Sequence, residues 1–222
     1  MELNEVLLGL LGKGTLETLY MTLVSTVFAY LIGIPIGIVL CITDVNGICP
    51  NRPVNKVLGV LVNILRSVPF LILLVFLLPF TRVVAGTTIG ATATIVPLVV
   101  ASAPFVGRMV ESSLKEVDPG VVQAAESMGS SPTQIIFKVL LPEARPSLLV
   151  GGAIAITTIL SYSALAGFTG GGGLGSIAVN YGYYKYDTRT MTITVALLVV
   201  IVQIFQEVGM AIATKSDRRV KN

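Results

Sequence analysis

The chain has 222 residues, of which 54% are hydrophobic and 12% charged, and its formal net charge is +3. With a mean hydropathy of +0.87, this composition excludes a monomeric water-soluble globule and predicts an all-α integral membrane protein. The chain has no histidine, and its two cysteines, Cys41 and Cys49, stand too far apart for a redox pair. They are interpreted as small hydrophobic residues, and no metal site is predicted.

Five predominantly apolar stretches are predicted to cross the membrane: residues 18–43, 56–82, 83–107, 147–166 and 190–214. Ahead of the first span, apolar residues at helical spacing within residues 3–11 predict a short interfacial helix that lies on the outer face before Gly12 and Gly14. No internal repeat is visible, so a single domain of residues 1–222 is the simplest organisation.

The first two spans contain residues that are unusual in a plain membrane helix. Gly33, Pro35 and Gly37 predict a bend in the first span and a close approach of another helix, because small residues let helices pack in lipid. In the second span, Arg66 would cost at least ~3 kcal/mol at the bilayer centre. Either the hydrocarbon is entered near Ser67 with Arg66 at its boundary, which is favoured, or Arg66 faces a wet cavity.

The third span is followed by a soluble-looking loop of about residues 115–142. At the end of the span, Arg108 and Glu111 are three apart and predict an ion pair on one helix face. Inside the loop, Asp118 reads as the N-cap of a helix that starts with Pro119, and Gly129 as its left-handed stop after Met128.

A second loop helix follows the glycine. Ser131 is predicted to cap it, Pro132 fits its first turn, and Pro142 is expected to end it. Its apolar residues form one stripe. They are Ile135, Ile136, Val139 and Leu140.

The fourth span runs into the glycine-rich segment GFTGGGGLGS, residues 167–176. Residues 170–175 match the glycine spacing of a dinucleotide loop, but they follow an apolar helix rather than a strand, and no lysine closes a phosphate loop. The segment is therefore predicted to turn at the outer membrane face. Four tyrosines that follow it suggest an interfacial aromatic belt: Tyr181, Tyr183, Tyr184 and Tyr186.

Lysine and arginine counts predict the orientation. Four of these residues lie on the side of the N-terminus, and eleven lie on the side of the helical loop and the C-terminus. Because positive residues favour the cytoplasmic side, the N-terminus is predicted outside and the loop and C-terminus in the cytoplasm. The net positive charge reflects this topology, so nucleic-acid binding is not favoured.

The source of energy is predicted to lie in another protein. The spans lack histidine and mid-membrane carboxylates that could bind a coupling ion, and the chain has no P-loop of its own. The helical loop is suited to lie in the groove of a partner that hydrolyses ATP. A solvated connector is the alternative, although loops of this length are often functional.

The loop resembles the EAA loop of ABC importer permeases. The resemblance rests on Ala124, Ala125, the glycine four residues later, and Leu141 with Pro142. Gln123 stands where the family has glutamate, and Val139 replaces the usual isoleucine. Nearly the whole chain, including NILRSVPFLILLVFLLPFTR, SYSALAGFTGGGGLG and YGYYKY, resembles the methionine-importer permeases, a five-span branch of the type I ABC importers.

This resemblance implies a permease subunit of an ATP-driven methionine importer in the bacterial inner membrane. It implies a second permease copy, two copies of a cytoplasmic ATPase, and a substrate-binding protein or lipoprotein outside. The permease would have no catalytic residue and no cofactor, with ATP and Mg bound by the ATPase. The residues predicted to couple to the ATPase lie in the first loop helix and its stop. They are Gln123, Ala124, Ala125, Glu126, Met128 and Gly129.

Several alternatives stay open at this point. The first alternative is an importer for another amino acid, because the EAA loop indicates coupling to ATP and carries no information about the substrate. The second alternative is a complex in which the other permease is a related but different chain. A passive channel or a membrane scaffold would belong to a different class, but neither requires a capped docking loop.

A gate is predicted at the end of the fourth span, in SYSAL. Tyr162 and Leu165 are three apart and share a helix face, with Ser163 between them. Two copies facing each other across a two-fold axis would close an apolar constriction there. Packing against neighbouring helices is the competing interpretation.

Overall fold

The structure, a computed structural model, describes residues 3–216, with side chains from residue 7 onward. Every regular element in this range is helical. The α-helices are α1 (Leu3–Ile42), α2 (Arg52–Ser67), α3 (Phe70–Phe76), α4 (Leu78–Ala85), α5 (Ala91–Lys115), α6 (Pro119–Ser127), α7 (Pro132–Ile135), α8 (Leu141–Glu143), α9 (Arg145–Leu165), α10 (Gly173–Ile177) and α11 (Thr188–Ser216). Wider π-helical turns cover Ile136–Leu140 and Ala178–Tyr183, and a 3₁₀ turn covers Ala166–Thr169.

The predicted number of spans agrees with the helices. Four stretches of the described chain are long and apolar enough to cross a membrane, namely Leu7–Ile42, Ala91–Lys115, Arg145–Tyr183 and Thr188–Ser216. A fifth is present if α2 and α3, which are separated by a sharp bend, count as one broken span. The fold is therefore an all-α membrane fold with up to five spans.

The predicted separate N-terminal helix is wrong. Helix α1 runs without a break from Leu3 to Ile42, through both Gly12 and Gly14. Leu10 and Leu11 pack in a protein core with Ile177 rather than lying free on a membrane surface. Because a side chain at Gly14 would overlap Ile177, this glycine serves close packing and not a break in the helix.

The predicted third span, residues 83–107, is displaced along the chain. Residues 83–85 belong to α4, which ends at Gly86 with a left-handed φ of 74°. Gly90 has a φ of 96°, and α5 begins only at Ala91 and continues to Lys115. Two glycines in conformations that other residues rarely adopt end one helix and delay the next, although the residues between them carry no charge.

The chain divides into two compact units, each built from three segments. Unit 1 comprises Met1–Phe28, Val68–Ser102 and Ile156–Gln206. Its core has one buried cluster around Leu11, Leu160 and Leu174, and another around Met21, Phe70 and Leu98. Unit 1 contains the glycine-rich segment and the predicted gate.

Unit 2 comprises Ala29–Ser67, Ala103–Ala155 and Glu207–Asn222, and it contains α2 and the helical loop. Within it, α1 and α5 meet through glycines. A side-chain carbon at Gly33 would lie 2.7 Å from Val106, and one at Gly37 would lie 2.5 Å from the carbonyl oxygen of Gly107. The predicted close approach at Gly33 and Gly37 is confirmed, and Pro35 lies inside the unbroken helix.

This contact gives a first testable prediction. Gly37→Ala should destabilise the protein by about 1–3 kcal/mol, because the added methyl group overlaps backbone atoms of α5 that cannot rotate away. Gly59→Ala is the matched control, since a side-chain carbon there would be 3.9 Å from Leu40. Thermal unfolding in detergent measures both. Equal melting temperatures for the two variants would contradict the tight α1 and α5 contact.

Candidate functional site

Helix α6 begins and ends as predicted. The Asp118 side chain accepts a hydrogen bond of 2.7 Å from the Gly120 N–H, and Pro119 occupies the first turn. At the other end Gly129 has a φ of 77°. Its N–H donates to the Glu126 carbonyl over 2.9 Å, which is half of the paired hydrogen-bond pattern that closes a helix with a left-handed glycine.

The surface of α6 is available to a partner. No residue of the helix is buried, and Met128, which caps it, is 84% exposed. Of the residues predicted to couple to an ATPase, Gln123, Ala124, Glu126, Met128 and Gly129 are exposed and Ala125 is half-buried. The coupling role of these residues stays a prediction, and the geometry it requires, a rigid exposed helix with defined ends, is present.

The second loop helix is held beneath α6 by apolar residues. Ser131 and Gln134 form a reciprocal capping box at the start of α7. The predicted stripe faces inward, since Ile135 and Leu140 are buried. The predicted end at Pro142 is wrong. After the π turn Ile136–Leu140, Pro142 lies inside α8, where a proline at the start of a new helical segment loses no needed hydrogen bond.

Charged residues fix the end of α5 next to this loop. The predicted pair of Arg108 and Glu111 is present, and Glu111 is only 5% exposed. Lys115 Nζ lies 2.8 Å from Glu111 and 2.5 Å from Asp44, which follows α1. The buried carboxylate of Glu111 is thus satisfied by two cations, as burial of a charge requires. Asp44 was not predicted, because its partner is distant in sequence.

A cavity of about 430 Å³ lies between the end of α1 and the loop helices of unit 2. Its walls combine charged, polar and apolar side chains. They include Cys41, Asp44, Asn46, Lys115, Val122, Gln123, Glu126 and Leu140. Two of the residues predicted to couple to an ATPase, Gln123 and Glu126, therefore line this cavity.

The ion pair of Asp44 gives a pH prediction. The pKa of Asp44 is held below its ordinary value of about 3.9, chiefly by the hydrogen bond from Lys115 and also by one from the Val45 N–H. A lowered carboxyl pKa contributes stability that is present above the ordinary value and is lost as pH falls through the folded-state pKa. Both partners are partly exposed, so the contribution should not exceed ~1 kcal/mol.

Asp44→Asn should therefore lower the unfolding temperature at pH 7, and the difference from the native chain should shrink as the pH falls below about 4. In a Lys115→Gln background the same substitution should have little further effect, because the partner is already absent. A pH-independent difference would contradict the role of the ion pair.

The predicted gate residues take three different positions. The Tyr162 ring stacks on Phe70, with centroids 4.6 Å apart and planes 5° apart. Ser163 is buried, and its hydroxyl donates to the Leu160 carbonyl over 2.7 Å. Leu165 is 40% exposed. Tyr162 is therefore partly buried against Phe70 whereas Leu165 is exposed, and the gate stays a prediction.

Leu165 lines an open apolar groove of about 660 Å³ within unit 1. Its walls come from α9 and the 3₁₀ turn after it, from α10 and the π turn that follows, and from α11. They include Leu160, Ala164, Phe168, Val179, Tyr183, Met191, Leu198, Val202 and Gln203. Phe168, Met191 and Gln203 were not predicted, because they lie in separate segments that no sequence spacing relates.

The glycine-rich segment forms a turn, as predicted, and α1 holds it in place. A carboxylate oxygen of Glu17 accepts a hydrogen bond of 2.7 Å from the Gly173 N–H, and the Thr18 hydroxyl oxygen accepts one of 2.9 Å from the Leu174 N–H. Glycines are needed here because Gly170, Gly172 and Gly173 have left-handed φ values between 71° and 81°. No sequence pattern predicted that Glu17 and Thr18 would hold this turn.

Neither cysteine forms a disulfide, and no group of three metal-binding side chains occurs among the described residues.

Among the tyrosines of the predicted belt, Tyr183, Tyr184 and Tyr186 are exposed. Tyr181 is covered by Lys185, whose Nζ lies 4.3 Å from the ring centroid.

The chain combines long apolar helices, a glycine turn fixed to the first helix and an exposed, capped loop helix. Together these features define a multi-span membrane permease. The chain belongs to the family of binding-protein-dependent transport system inner membrane components, whose sequence pattern matches residues 33–222.

Relatives and solved structures agree with this family. The chain is 49% identical over 210 residues to a probable D-methionine transport system permease protein, MetI, of Vibrio cholerae. The aligned residues cover 95% of this chain and 93% of the relative. It is 47% identical over 165 residues to the corresponding Escherichia coli protein, covering 74% and 76%. A structure of the MetNI methionine ABC transporter in an inward-facing conformation superposes with a TM-score of 0.95 at 44% identity, covering 98% of this chain and all of that chain.

A more distant likeness concerns the fold alone. An amino acid ABC transporter solved with histidines gives a TM-score of 0.77 at 22% identity, covering 93% of this chain and 94% of that chain.

Proposed function

We propose that the chain is the permease subunit of an ATP-driven, binding-protein-dependent importer for methionine. The observation that carries the proposal is the exposed helix α6, capped at both ends, in a chain whose family match covers residues 33–222. Methionine is the substrate named for relatives that share nearly half of its residues. ATP hydrolysis, with its ATP and Mg, resides in a separate ATPase subunit, and the permease performs no covalent chemistry.

The ATPase docks on α6. A short helix with rigid caps transmits a push or a pull without melting, and its exposed residues Ala124 and Met128 offer apolar contacts to a groove. Helix α6 follows α5 after a break of only three residues, and the buried residues Ile135 and Leu140 anchor the segment behind it. The ion pair of Lys115 with Asp44 ties this end of α5 to the end of α1. Movement of the ATPase is thereby passed to the spans as a rigid-body displacement.

Two permease copies and two ATPases form the complex, with a substrate-binding protein on the outer side. Up to five spans are few to enclose a pathway for an amino acid, whereas two copies give ten around a two-fold axis. The open apolar groove beside Leu165 is suited to such an axis. In this arrangement Leu165 of each copy closes the pathway, and Tyr162 supports α9 from behind through Phe70.

ATP binding draws the two α6 helices together and opens the pathway outward to a loaded binding protein, and hydrolysis resets the cycle. This mechanism requires the N-terminus outside and α6 in the cytoplasm, as the lysine and arginine counts predict.

The orientation can be measured with single cysteines. In a chain with Cys41 and Cys49 replaced by alanine, Tyr184→Cys should react with a membrane-impermeant thiol reagent in intact cells. Ser127→Cys should react only after permeabilisation, because both positions are exposed but lie on opposite sides. The cysteine-free chain is the control for background labelling. The reverse pattern would contradict the proposed coupling mechanism.

Uptake of labelled amino acids tests the function directly. Proteoliposomes would contain the permease and its ATPase with ATP inside, and the binding protein would be added outside. Methionine should accumulate only when all three proteins and ATP are present. Accumulation of a different amino acid would overturn the substrate, and uptake without ATP would overturn the class.

A further inference from the structure

Helix α2 runs lengthwise beside α1 and α5. Near its start, the Asn55 amide donates a hydrogen bond of 2.8 Å to the Leu40 carbonyl, close to the end of α1. Farther along the helix, Asn63 Oδ1 accepts a hydrogen bond of 3.4 Å from Arg108 of α5. The residue before Arg108 is a glycine, at which a side-chain carbon would lie 2.8 Å from Ile36 of α1. Helix α2 therefore leads from the end of α1 back toward its middle.

This course carries Arg66 deep into the membrane. Arg66 lies beyond Asn55 by about 16 Å along the helix axis, since an α-helix rises about 1.5 Å per residue. Asn55 is level with the end of α1, and the hydrocarbon core of a bilayer is about 30 Å thick. With the end of α1 at the cytoplasmic boundary, Arg66 lies about halfway across. The position at the hydrocarbon boundary, which the sequence favoured, does not agree with this depth.

Arg66 also lies on the side of α2 that faces the protein. With about 3.6 residues per turn, it falls within about 20° of Asn55 and about 40° of Val62 around the helix axis. Asn55 contacts α1, and Val62 is only 2% exposed. The exposed apolar residues of the helix, which include Val57 and Ile64, lie on the opposite side. Arg66 is nevertheless exposed, so its side chain lies in an opening of the protein and not among lipid chains.

The charge of Arg66 has no counterpart among the described residues. Arg108, which contacts Asn63, pairs with Glu111, and no hydrogen bond or ion pair joins Arg66 to any described side chain. Helix α2 contains no acidic residue. An unpaired guanidinium group at this depth is costly in hydrocarbon and requires water or an anion. The opening beside Arg66 is therefore a polar space that an anion can enter.

We propose that Arg66 lines the translocation pathway and binds the carboxylate of the transported amino acid. A guanidinium group presents two parallel N–H donors that match the two oxygens of a carboxylate. This inference rests on the proposed transport function and names the group of the substrate that the permease recognises. Every amino acid carries this carboxylate, so Arg66 selects the class of substrate and not its side chain.

The second source of a carboxylate is the other permease copy. Glu207 is exposed inside α11 and has no partner among the described residues. An ion pair between Arg66 and the Glu207 side chain of the second copy would have to break each time the pathway opens, so the substrate is the favoured source. Such a pair would also hold the two copies together, whereas binding of the substrate leaves their assembly unchanged.

Cysteine labelling can test the direction of Arg66. Arg66→Cys and Ile64→Cys would be made in a chain with Cys41 and Cys49 replaced by alanine, and the complex of permease and ATPase would be placed in nanodiscs. Ile64 is at a similar depth and 58% exposed, on the opposite side of the helix. Water-soluble thiol reagents attack the thiolate, which forms in water, so Arg66→Cys should react about tenfold or more faster than Ile64→Cys. Equal rates would show that position 66 does not face water and would overturn the proposal.

Recognition of the carboxylate is tested with Arg66 in place. Asn63→Cys is exposed and one turn from Arg66, so a bound substrate should shield it from the thiol reagent. Methionine should slow the labelling, and methionine amide, which lacks the carboxylate, should not. In an Arg66→Gln background the methionine concentration for half protection should rise about tenfold or more, because hydrogen bonds between charged partners are the strong ones.

Two further variants serve as controls in the same assay. Arg66→Lys keeps the charge but loses the paired donors, so its half-protection concentration should fall between those of the native residue and Arg66→Gln. Lys56→Gln removes another exposed positive charge, near the start of α2, and should have no effect.

Three further results would overturn the proposal. Equal protection by methionine and its amide would exclude recognition of the carboxylate. An unchanged half-protection concentration in Arg66→Gln would exclude Arg66 as the binding group. Loss of the permease dimer in Arg66→Gln, measured by size-exclusion chromatography, would assign Arg66 to an ion pair between the copies, which Glu207→Gln should then reproduce.

Methionine uptake by the native complex is measured separately. Uptake without protection of Asn63→Cys would refute this inference alone, whereas absence of uptake would refute the proposed function.

Discussion

Loss of ATP-coupled uptake is the expected result of Gly129→Val. The backbone at Gly129 has a φ of 77°, and a β-branched residue in this conformation costs more than the 1–2 kcal/mol typical of an L-residue. No other atom lies within 4 Å of the position where its side-chain carbon would be, so the cost comes from the backbone and not from crowding. The chain can avoid that cost by opening the turn between α6 and α7. The docking helix would then tilt or fray.

Two measurements separate the consequences. Co-purification of the ATPase reports docking, and methionine uptake in proteoliposomes reports coupling. Uptake should fall by an order of magnitude or more in Gly129→Val. Gly129→Asn is the matched control, since asparagine tolerates the left-handed conformation, and it should retain most of the activity. If valine and asparagine behave alike, the conformation of this turn does not govern coupling.

The second large effect is expected from Leu165→Ala. Leu165 is exposed on the apolar groove of unit 1, and truncation removes three carbon atoms from each copy. Two-fold symmetry doubles the opening at the axis. We expect methionine to leak through the complex without ATP or binding protein, while the ATPase still assembles with the permease.

Leu165→Met preserves the volume of the side chain and should keep the pathway closed. Leu8→Ala removes the same atoms at another exposed position, in α1, and should not leak. A cysteine in place of Leu165 should also form a cross-link between the two permease copies. Coupled transport in Leu165→Ala together with no cross-link would place the constriction elsewhere.

Tyr162 illustrates why a gate is difficult to derive from spacing. Its position three residues before Leu165 predicts a common helix face, and in an isolated helix the two side chains would be neighbours. Stacking on Phe70 draws the Tyr162 ring into the core of unit 1. Phe70 belongs to a different helix, and no local pattern relates the two rings.

Local chemistry was sufficient for the loop helices. Asp118 and Pro119 start α6, Gly129 stops it, and Ser131 begins α7, because caps and left-handed stops depend on residues a few positions apart. The pair of Arg108 and Glu111 is predictable for the same reason, since it lies on one helix face. Composition alone placed the chain in a membrane, because a bilayer of fixed thickness demands long apolar helices.

Tertiary structure decided the features that depend on contacts between distant segments. Gly12 and Gly14 read as a helix break, but Gly14 allows α1 to pack against Ile177, and the helix continues. Asp44 becomes the partner of Lys115 only when the end of α1 meets the end of α5. Glu17 holds the glycine turn only because α1 passes beside it. Hydropathy and capping follow from neighbours in the sequence, whereas packing, ion pairs and turn anchoring follow from which helices come together.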